Sequence, residues 1–170
     1  GNDIVNGSQV WSENPELQYF VYGEAGNDII NGSGYLDGGI GDDEITGRGH
    51  LLGGDGNDVI TGNGILEGQN GDDILSGQGR LFGGNGDDQL TLTELGNDAG
   101  YLSGGDGNDT LTVDVNRRVF VDDYNRSEFV QDADGYHIPI DDELTEAQRA
   151  VYIEGGKGND IINGSFGDEV

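Results

Sequence analysis

Short triplets of two kinds recur along the chain, and each has an aliphatic residue at its centre with more variable residues on either side. One kind follows an Asp, as in Ile29-Ile30-Asn31, and the other comes six residues later, as in Tyr35-Leu36-Asp37. Successive side chains of a strand point to opposite faces, so the central residue of each triplet is predicted to face inward. The first inward set is Val5, Ile30, Ile45, Ile60, Leu75, Leu90, Leu111 and Ile162, and the second is Val21, Leu36, Leu51, Leu66, Leu81, Leu102 and Ile153. The pattern predicts an all-β chain with two short strands in each unit.

These units repeat. The tripeptide Gly-(Asn/Asp)-Asp occurs at Gly26 and recurs every 15 residues up to Gly86. Longer steps separate these copies from one before them, at Gly1, and from two after them, at Gly107 and Gly158. The extra residues of the longer steps all fall after the first triplet of a unit, at about residues 9–18, 93–98 and 116–150. A repeat of this kind predicts stacked coils, about 4.8 Å apart, with the three insertions on one edge.

The composition opposes folding, because 34 acidic residues against 7 basic ones give a net charge of −27 and only 32% of the chain is hydrophobic. Such a chain is typical of disorder unless something neutralises the acids. The same charge opposes binding to nucleic acid or to an anionic membrane surface. No apolar run approaches the roughly 20 residues of a membrane span, and the lack of cysteine removes disulfides and thiolate metal sites.

The turn before each first triplet contains the candidate metal-binding groups. It reads GGIGDD, GGDGND, GQNGDD, GGNGDD, GGDGND or GGKGND, and with the following strand it becomes G-G-x-G-(N/D)-D-x-(I/L)-x. Glycines allow carbonyl groups to turn toward the gap between coils, and stacking places the last Asp of each turn above the next. Calcium prefers six to eight oxygen ligands, which such a gap offers. A purely structural turn is the alternative, since Gly, Asn and Asp favour turns, but it leaves the column of like charges unexplained.

The nonapeptide resembles that of the RTX (repeats-in-toxin, haemolysin-type) proteins. The resemblance implies a right-handed parallel β-roll or β-solenoid of two sheets, with several Ca²⁺ ions, at most about seven, between its coils. It implies as carboxylate ligands Asp3, Asp28, Asp43, Asp58, Asp73, Asp88, Asp109 and Asp160. It implies backbone carbonyl ligands near Gly26, Gly39, Gly41, Gly54, Gly56, Gly71, Gly84, Gly86, Gly105, Gly107, Gly156 and Gly158.

This chain departs from the family pattern in its coil length. One nonapeptide alternates with six residues, such as Gly47-Arg48-Gly49-His50-Leu51-Leu52, which carry no Asp. We therefore expect a variant with 15-residue coils and calcium on one edge only. Two turns are irregular, because Glu24 and Gln69 stand where the other turns have glycine.

The resemblance implies one calcium-binding domain over residues 1–170, cut from a larger extracellular or cell-surface protein exported by type I secretion. Its expected role is a module that folds on binding calcium and serves as a rigid scaffold or spacer in an adhesin, toxin or surface layer, with no enzymatic activity. The alternatives are an accessory module of a secreted protease, lipase or polysaccharide-modifying enzyme, and a fibre subunit that associates end to end.

The insertions leave the question of partners open. The first contains the chain's one Trp, Trp11, and the longest contains four of the seven basic residues and a predicted strand at Val119-Phe120-Val121. These segments either cover an open edge of the solenoid or form the contact with a protein or glycan partner.

Overall fold

The fold consists of parallel β-strands. It is seen in a computed structural model, which describes residues 1–6, 20–94, 100–114, 119–121 and 151–164. Within these ranges all regular structure is β. The strands are β1 (Ile4–Asn6), β2 (Phe20–Tyr22), β3 (Ile29–Ile40), β4 (Glu44–Asp55), β5 (Val59–Asn70), β6 (Ile74–Asn85), β7 (Gln89–Glu94), β8 (Gly100–Asp106), β9 (Thr110–Val113), β10 (Val119–Val121), β11 (Val151–Lys157) and β12 (Ile161–Gly164).

The strands stack in the register that the repeat predicts. Ile30 pairs with Ile45, Ile45 with Ile60 and Ile60 with Leu75, each 15 residues further along the chain. One branch of the stack runs β1-β3-β4-β5-β6-β7-β9-β12, and the other runs through β2, the later halves of β3 to β6, then β8 and β11. The two branches are the two faces of a parallel β-solenoid, and we call them the first face and the second face.

The two predicted strands of a regular coil are one continuous strand of 12 residues. The predicted pair of sheets is therefore joined into a single 12-stranded sheet. Pairing continues through the six-residue turn because glycine lies on glycine there, as in Gly32 against Gly47 and Gly34 against Gly49. Gly49 has a φ of 123°, a conformation that costs other residues steric strain.

The core is a double row of aliphatic side chains. Of the predicted inward residues, those in the interior of the stack are fully buried, and Val5, Val21 and Ile162 in the outermost coils are partly buried. Three fully buried residues lie outside the prediction, namely Leu92, Val113 and Val151.

These three residues take positions that glycine holds in the regular coils: Leu92 pairs with Gly77, and Val151 with Gly100. In a regular coil, a β-carbon on Gly62 would approach Leu51 Cδ1 to 2.7 Å, so no side chain fits. All three residues lie next to an insertion in the sequence, and the pairing of β6 with β7 shifts register after Gly77. In these coils aliphatic side chains extend the core beyond the double row.

Most of the three predicted insertions lies outside the described residues. The exceptions are Thr93 and Glu94, which end β7, and the strand β10, which confirms the strand predicted at Val119–Val121. It pairs in parallel with β11, on the edge opposite β8, with Val119 against Val151 and Val121 against Ile153. A strand from the longest insertion thus covers the edge of β11 at this end of the second face.

Candidate metal centre

The nonapeptide turns bring adjacent coils into close main-chain contact along one edge. All twelve glycines that were predicted to lie near carbonyl ligands have φ between 101° and 151°. A β-carbon on Gly54 or Gly56 would collide with the carbonyl oxygen of Gly39 or Gly41 in the preceding coil. Glycine adopts this conformation and allows this approach without steric strain. Glu24 and Gln69 stand at the equivalent position of the two irregular turns and also have positive φ, of 72° and 81°.

A column of buried aspartates follows the strand side of these turns. Asp28, Asp43, Asp58, Asp73, Asp88 and Asp109 are each at most 2% exposed. One carboxylate oxygen, Oδ1, accepts a hydrogen bond from the backbone N–H of the equivalent Asp in the preceding coil. Asp43 N donates to Asp58 Oδ1 at 2.8 Å, and Asp58 N donates to Asp73 Oδ1 at 2.8 Å. The carboxylates are thus fixed in orientation by the stack itself.

The other oxygen of each carboxylate has no partner. Oδ2 of all six residues is buried without a hydrogen bond. Buried polar atoms are almost always paired, and an unpaired carboxylate oxygen is especially unfavourable. Such atoms in a repeated series fit a cationic ligand.

A glycine carbonyl shares the space in front of each Oδ2. A β-carbon added to Gly53 would meet both Asp58 Oδ2 and the carbonyl oxygen of Gly68, and one on Gly68 would meet Asp73 Oδ2 and the carbonyl of Gly83. Because the first glycine of each turn has no side chain, a space beside Oδ2 stays open between the coils. The complete series of these glycines is Gly23, Gly38, Gly53, Gly68, Gly83, Gly104 and Gly155, and an aspartate Oδ2 lies beside each.

Burial makes these carboxyls hard to ionise in the absence of a cation. It raises the pKa of Asp58, Asp73 and Asp88 from 3.8 to about 7, and that of Asp109 to about 6. Hydrogen bonds from the backbone lower each pKa in part, and the neighbouring carboxylates raise it further. The pKa of Asp43 is raised in the same way. A bound cation would reverse this effect by stabilising the charged form.

The structure sorts the predicted ligands by their place in the stack. Six of the eight predicted aspartates form the buried column, whereas Asp3 is exposed and Asp160 is partly buried in the terminal coils. Asp160 still accepts a hydrogen bond from Asp109 N at 3.0 Å, so it continues the column. The fifth-position residues form a separate exposed ladder, in which Asn57 N donates to Asp42 Oδ1 at 2.9 Å. This ladder braces the turns.

First-position glycines supply a carbonyl beside the carboxylates that was not named among the predicted glycines. A β-carbon on Gly38 would meet both Asp43 Oδ2 and the carbonyl oxygen of Gly53. The second-position carbonyl of Glu24 accepts a hydrogen bond between strands, from Ile40 N at 2.9 Å. The signal in the sequence was the first Gly of each G-G-x-G, whose lack of a side chain leaves room for the carboxylate oxygen.

Main-chain oxygens have to complete any metal site here. In the part of the chain that the structure describes, no three His, Cys, Asp or Glu side chains converge in a group that could hold a metal ion. The atoms that lie together here are a carboxylate oxygen of one coil and a carbonyl oxygen of the next, so the environment is made of oxygen. This environment suits a hard cation such as calcium, and it lacks the nitrogen and sulfur ligands that zinc or copper would select.

Comparison with known families agrees with this chemistry. The description "RTX calcium-binding nonapeptide repeat" matches four copies in the chain, over residues 20–34, 46–64, 80–93, 95–114 and 150–170, which together are slightly more than half of its length. Searches of curated proteins and of solved structures gave no significant match. Across the described ranges, no helix has the length and apolar character needed to cross a membrane.

Proposed function

Because the chain belongs to the family of the RTX calcium-binding nonapeptide repeat, we propose that calcium ions between its coils couple its folding to the external calcium concentration. The observation that carries this proposal is the column of six buried aspartates, each with an unpaired Oδ2. Asp28, Asp43, Asp58, Asp73, Asp88 and Asp109 would hold the ions together with carbonyls of the glycine turns. Asp3 and Asp160 would contribute at the ends of the stack.

When bound, calcium supplies positive charge beside the unpaired carboxylate oxygens. The protein's own residues do the remaining work. Glycines bring the carbonyls into the gap, and the backbone N–H of each Asp orients the next carboxylate. Each ion would contact two coils, so binding and stacking are coupled, and the stack forms only where calcium is plentiful.

RTX repeats are typical of extracellular proteins exported by type I secretion, and we propose this location for the chain. There the rod of coils acts as a rigid, non-enzymatic scaffold or spacer. We place any protein or glycan partner at the insertion edge, whose residues lie mostly outside the described ranges.

The experiment is a calcium titration of metal-free protein, followed by far-UV circular dichroism and isothermal calorimetry. We expect a cooperative change from coil to β at sub-millimolar to millimolar calcium, and none with magnesium. Two neighbouring substitutions supply a matched pair. Asp73→Asn keeps the oxygen that accepts the hydrogen bond from Asp58 N and removes the charge at Oδ2. Asp72→Asn removes one charge from the adjacent, exposed ladder.

Asp73→Asn should weaken calcium binding by at least tenfold and reduce the number of bound ions, whereas Asp72→Asn should bind as the parent chain does. Equal binding by the two variants would contradict the ligand assignment. A β spectrum that persists unchanged in excess chelator at pH 7.5 would contradict the coupling of folding to calcium.

A further inference from the structure

The aromatic side chains that the structure describes are sorted onto one surface of the solenoid. Among the described residues the core contains aliphatic side chains only, and the outward first face carries no aromatic ring. On the outward second face, ring-bearing residues form two groups on either side of β5: Phe20, Tyr22, Tyr35 and His50 on one side, and Phe82, Tyr101 and Tyr152 on the other. Core packing does not explain this distribution.

One group of these rings already holds a cation. The guanidinium carbon of Arg80 lies 5.6 Å from the ring centre of Phe82 and 5.7 Å from that of Tyr101. The two rings are 5.2 Å apart, with their planes inclined at 42°. Phe82 is two residues beyond Arg80 in one coil, and Tyr101 pairs directly with Arg80 in the next.

The same arrangement occurs at the other end of this face, without the cation. Tyr22 and Tyr35 hold the places of Phe82 and Tyr101, with ring centres 6.0 Å apart and planes inclined at 49°. Phe20 stands in the place of Arg80 and packs 5.6 Å from Tyr35. Phe20 and Tyr22 are each 56% exposed.

Carboxylates border this second group of rings. Asp37 pairs with Tyr22 across the strands. Burial raises the pKa of Tyr35, and the nearby carboxylates of Asp37 and Glu67 raise it further. His50 lies beside the rings, with its ring centre 5.3 Å from that of Tyr35, and its Nε2 already contacts Glu67 Oε1 at 2.8 Å. Among the described residues, no Lys or Arg side chain lies over these rings, because both cation–π contacts involve Arg80.

We propose that Phe20, Tyr22 and Tyr35, together with Asp37, form a docking site for an arginine side chain on a basic segment of a partner protein. A guanidinium group stacks on aromatic rings and pairs with a carboxylate at the same time, which a lysine ammonium does less well. The net charge of −27 draws a basic segment toward the chain, and the rings give the segment a specific place to bind. Arg80 shows that the face accommodates a guanidinium over such a ring pair.

The test uses the full chain in saturating calcium, with its β structure checked by circular dichroism, so its outcome is separate from that of the calcium proposal. The probes are two fluorescein-labelled peptides of Gly and Ser, one with three Arg and one with three Lys. Fluorescence anisotropy at physiological salt should give about two- to fivefold tighter binding per stacked ring for the arginine peptide. The variant Tyr22→Leu with Tyr35→Leu, which keeps apolar bulk on the strands, should lose this preference.

Two matched controls separate the site from the overall charge. Val59→Leu with Ile74→Leu alters the exposed first face and should leave the preference intact. Asp37→Asn should weaken arginine-peptide binding at least threefold, whereas Glu44→Gln, which removes one exposed charge from the first face, should not. Equal binding of both peptides, or equal effects of the two charge variants, would overturn the proposal. So would tyrosine-dependent binding of a neutral cello-oligosaccharide in place of the arginine peptide, because the face would then be a glycan site.

Discussion

Acidification should fold the chain without calcium, because protons and calcium stabilise the same buried carboxylates. In the calcium-free folded state, burial raises the pKa of Asp58, Asp73 and Asp88 to about 7. In the unfolded chain these groups titrate near 3.8. The folded state therefore binds protons more tightly, and the stabilisation is complete below pH 3.8 and disappears as the pH rises through 7.

The size of this effect follows from the shift. A rise of about three pKa units corresponds to about 4 kcal/mol for each carboxyl at low pH. At pH 5 about 3 kcal/mol per carboxyl is available, since the folded state is then almost fully protonated and the unfolded state almost fully ionised. Three such groups supply several kcal/mol, which is comparable with the whole stability of a typical domain.

The assay is far-UV circular dichroism of metal-free protein between pH 8 and pH 4, with urea unfolding at each pH. A control is needed because acid also reduces the general charge repulsion of the chain. One variant replaces Asp58, Asp73 and Asp88 with Asn, and the other replaces the adjacent exposed residues Asp42, Asp72 and Asp87 with Asn. Both have a net charge of −24, three less negative than the parent's −27.

The variant with the buried substitutions should be folded at pH 7.5 without calcium and should depend little on pH. The variant with the exposed substitutions should follow the parent chain, remaining largely coil at pH 7.5 and gaining β structure toward pH 5. The reasoning fails if the two variants behave alike, since the effect would then come from total charge, or if the metal-free parent stays coil at pH 5.

Two further predictions concern the glycine turns. Gly53→Ala would place a β-carbon against Asp58 Oδ2 and the carbonyl of Gly68, so calorimetry should show at least one calcium ion fewer per chain. Its control is Gly62→Ala, which collides with Leu51 on the opposite edge and should lower stability toward urea while leaving the number of bound ions unchanged. Gln69→Gly should raise the free energy of unfolding in calcium by about 0.5–1 kcal/mol, because Gln69 holds a φ of 81° that glycine adopts without strain. Urea unfolding measures this change, and a loss of stability would show that the Gln69 side chain makes a stabilising contact that outweighs its strain.

The regular part of the fold could be predicted because the repeat fixes its register. Once Ile30, Ile45 and Ile60 occupy equivalent positions, every residue between them is placed as well, and the observed pairing agrees. The buried aspartates follow from the same period. Prediction was accurate here because each coil has the same local surroundings, so one interpretation of the turn applies to all of them.

The irregular part could not be predicted from the period. Leu92, Val113 and Val151 enter the core in coils that an insertion interrupts, where the pairing departs from the regular register, and the 15-residue period carries no information about these coils. The strand β10 was visible as Val119–Val121, but its partner was not, because a three-residue strand carries no information about the edge that it will meet. The grouping of the aromatic rings appears only after the register puts Tyr22 beside Tyr35.

The two edges of a coil explain why folding should depend on calcium at all. At the short turn, glycine pairs such as Gly47 with Gly62 bring the backbones together with no charged group on the inward side. At the nonapeptide turn, every added coil buries another carboxylate with an unpaired oxygen. Stacking is therefore favourable along one edge and unfavourable along the other, in every coil. The aliphatic core receives only two side chains from each regular coil, so it contributes little stabilising free energy to offset the buried charge. A cation at each gap would make stacking favourable along the nonapeptide edge as well. Growth of the stack and binding of calcium are then the same event, repeated once for each coil.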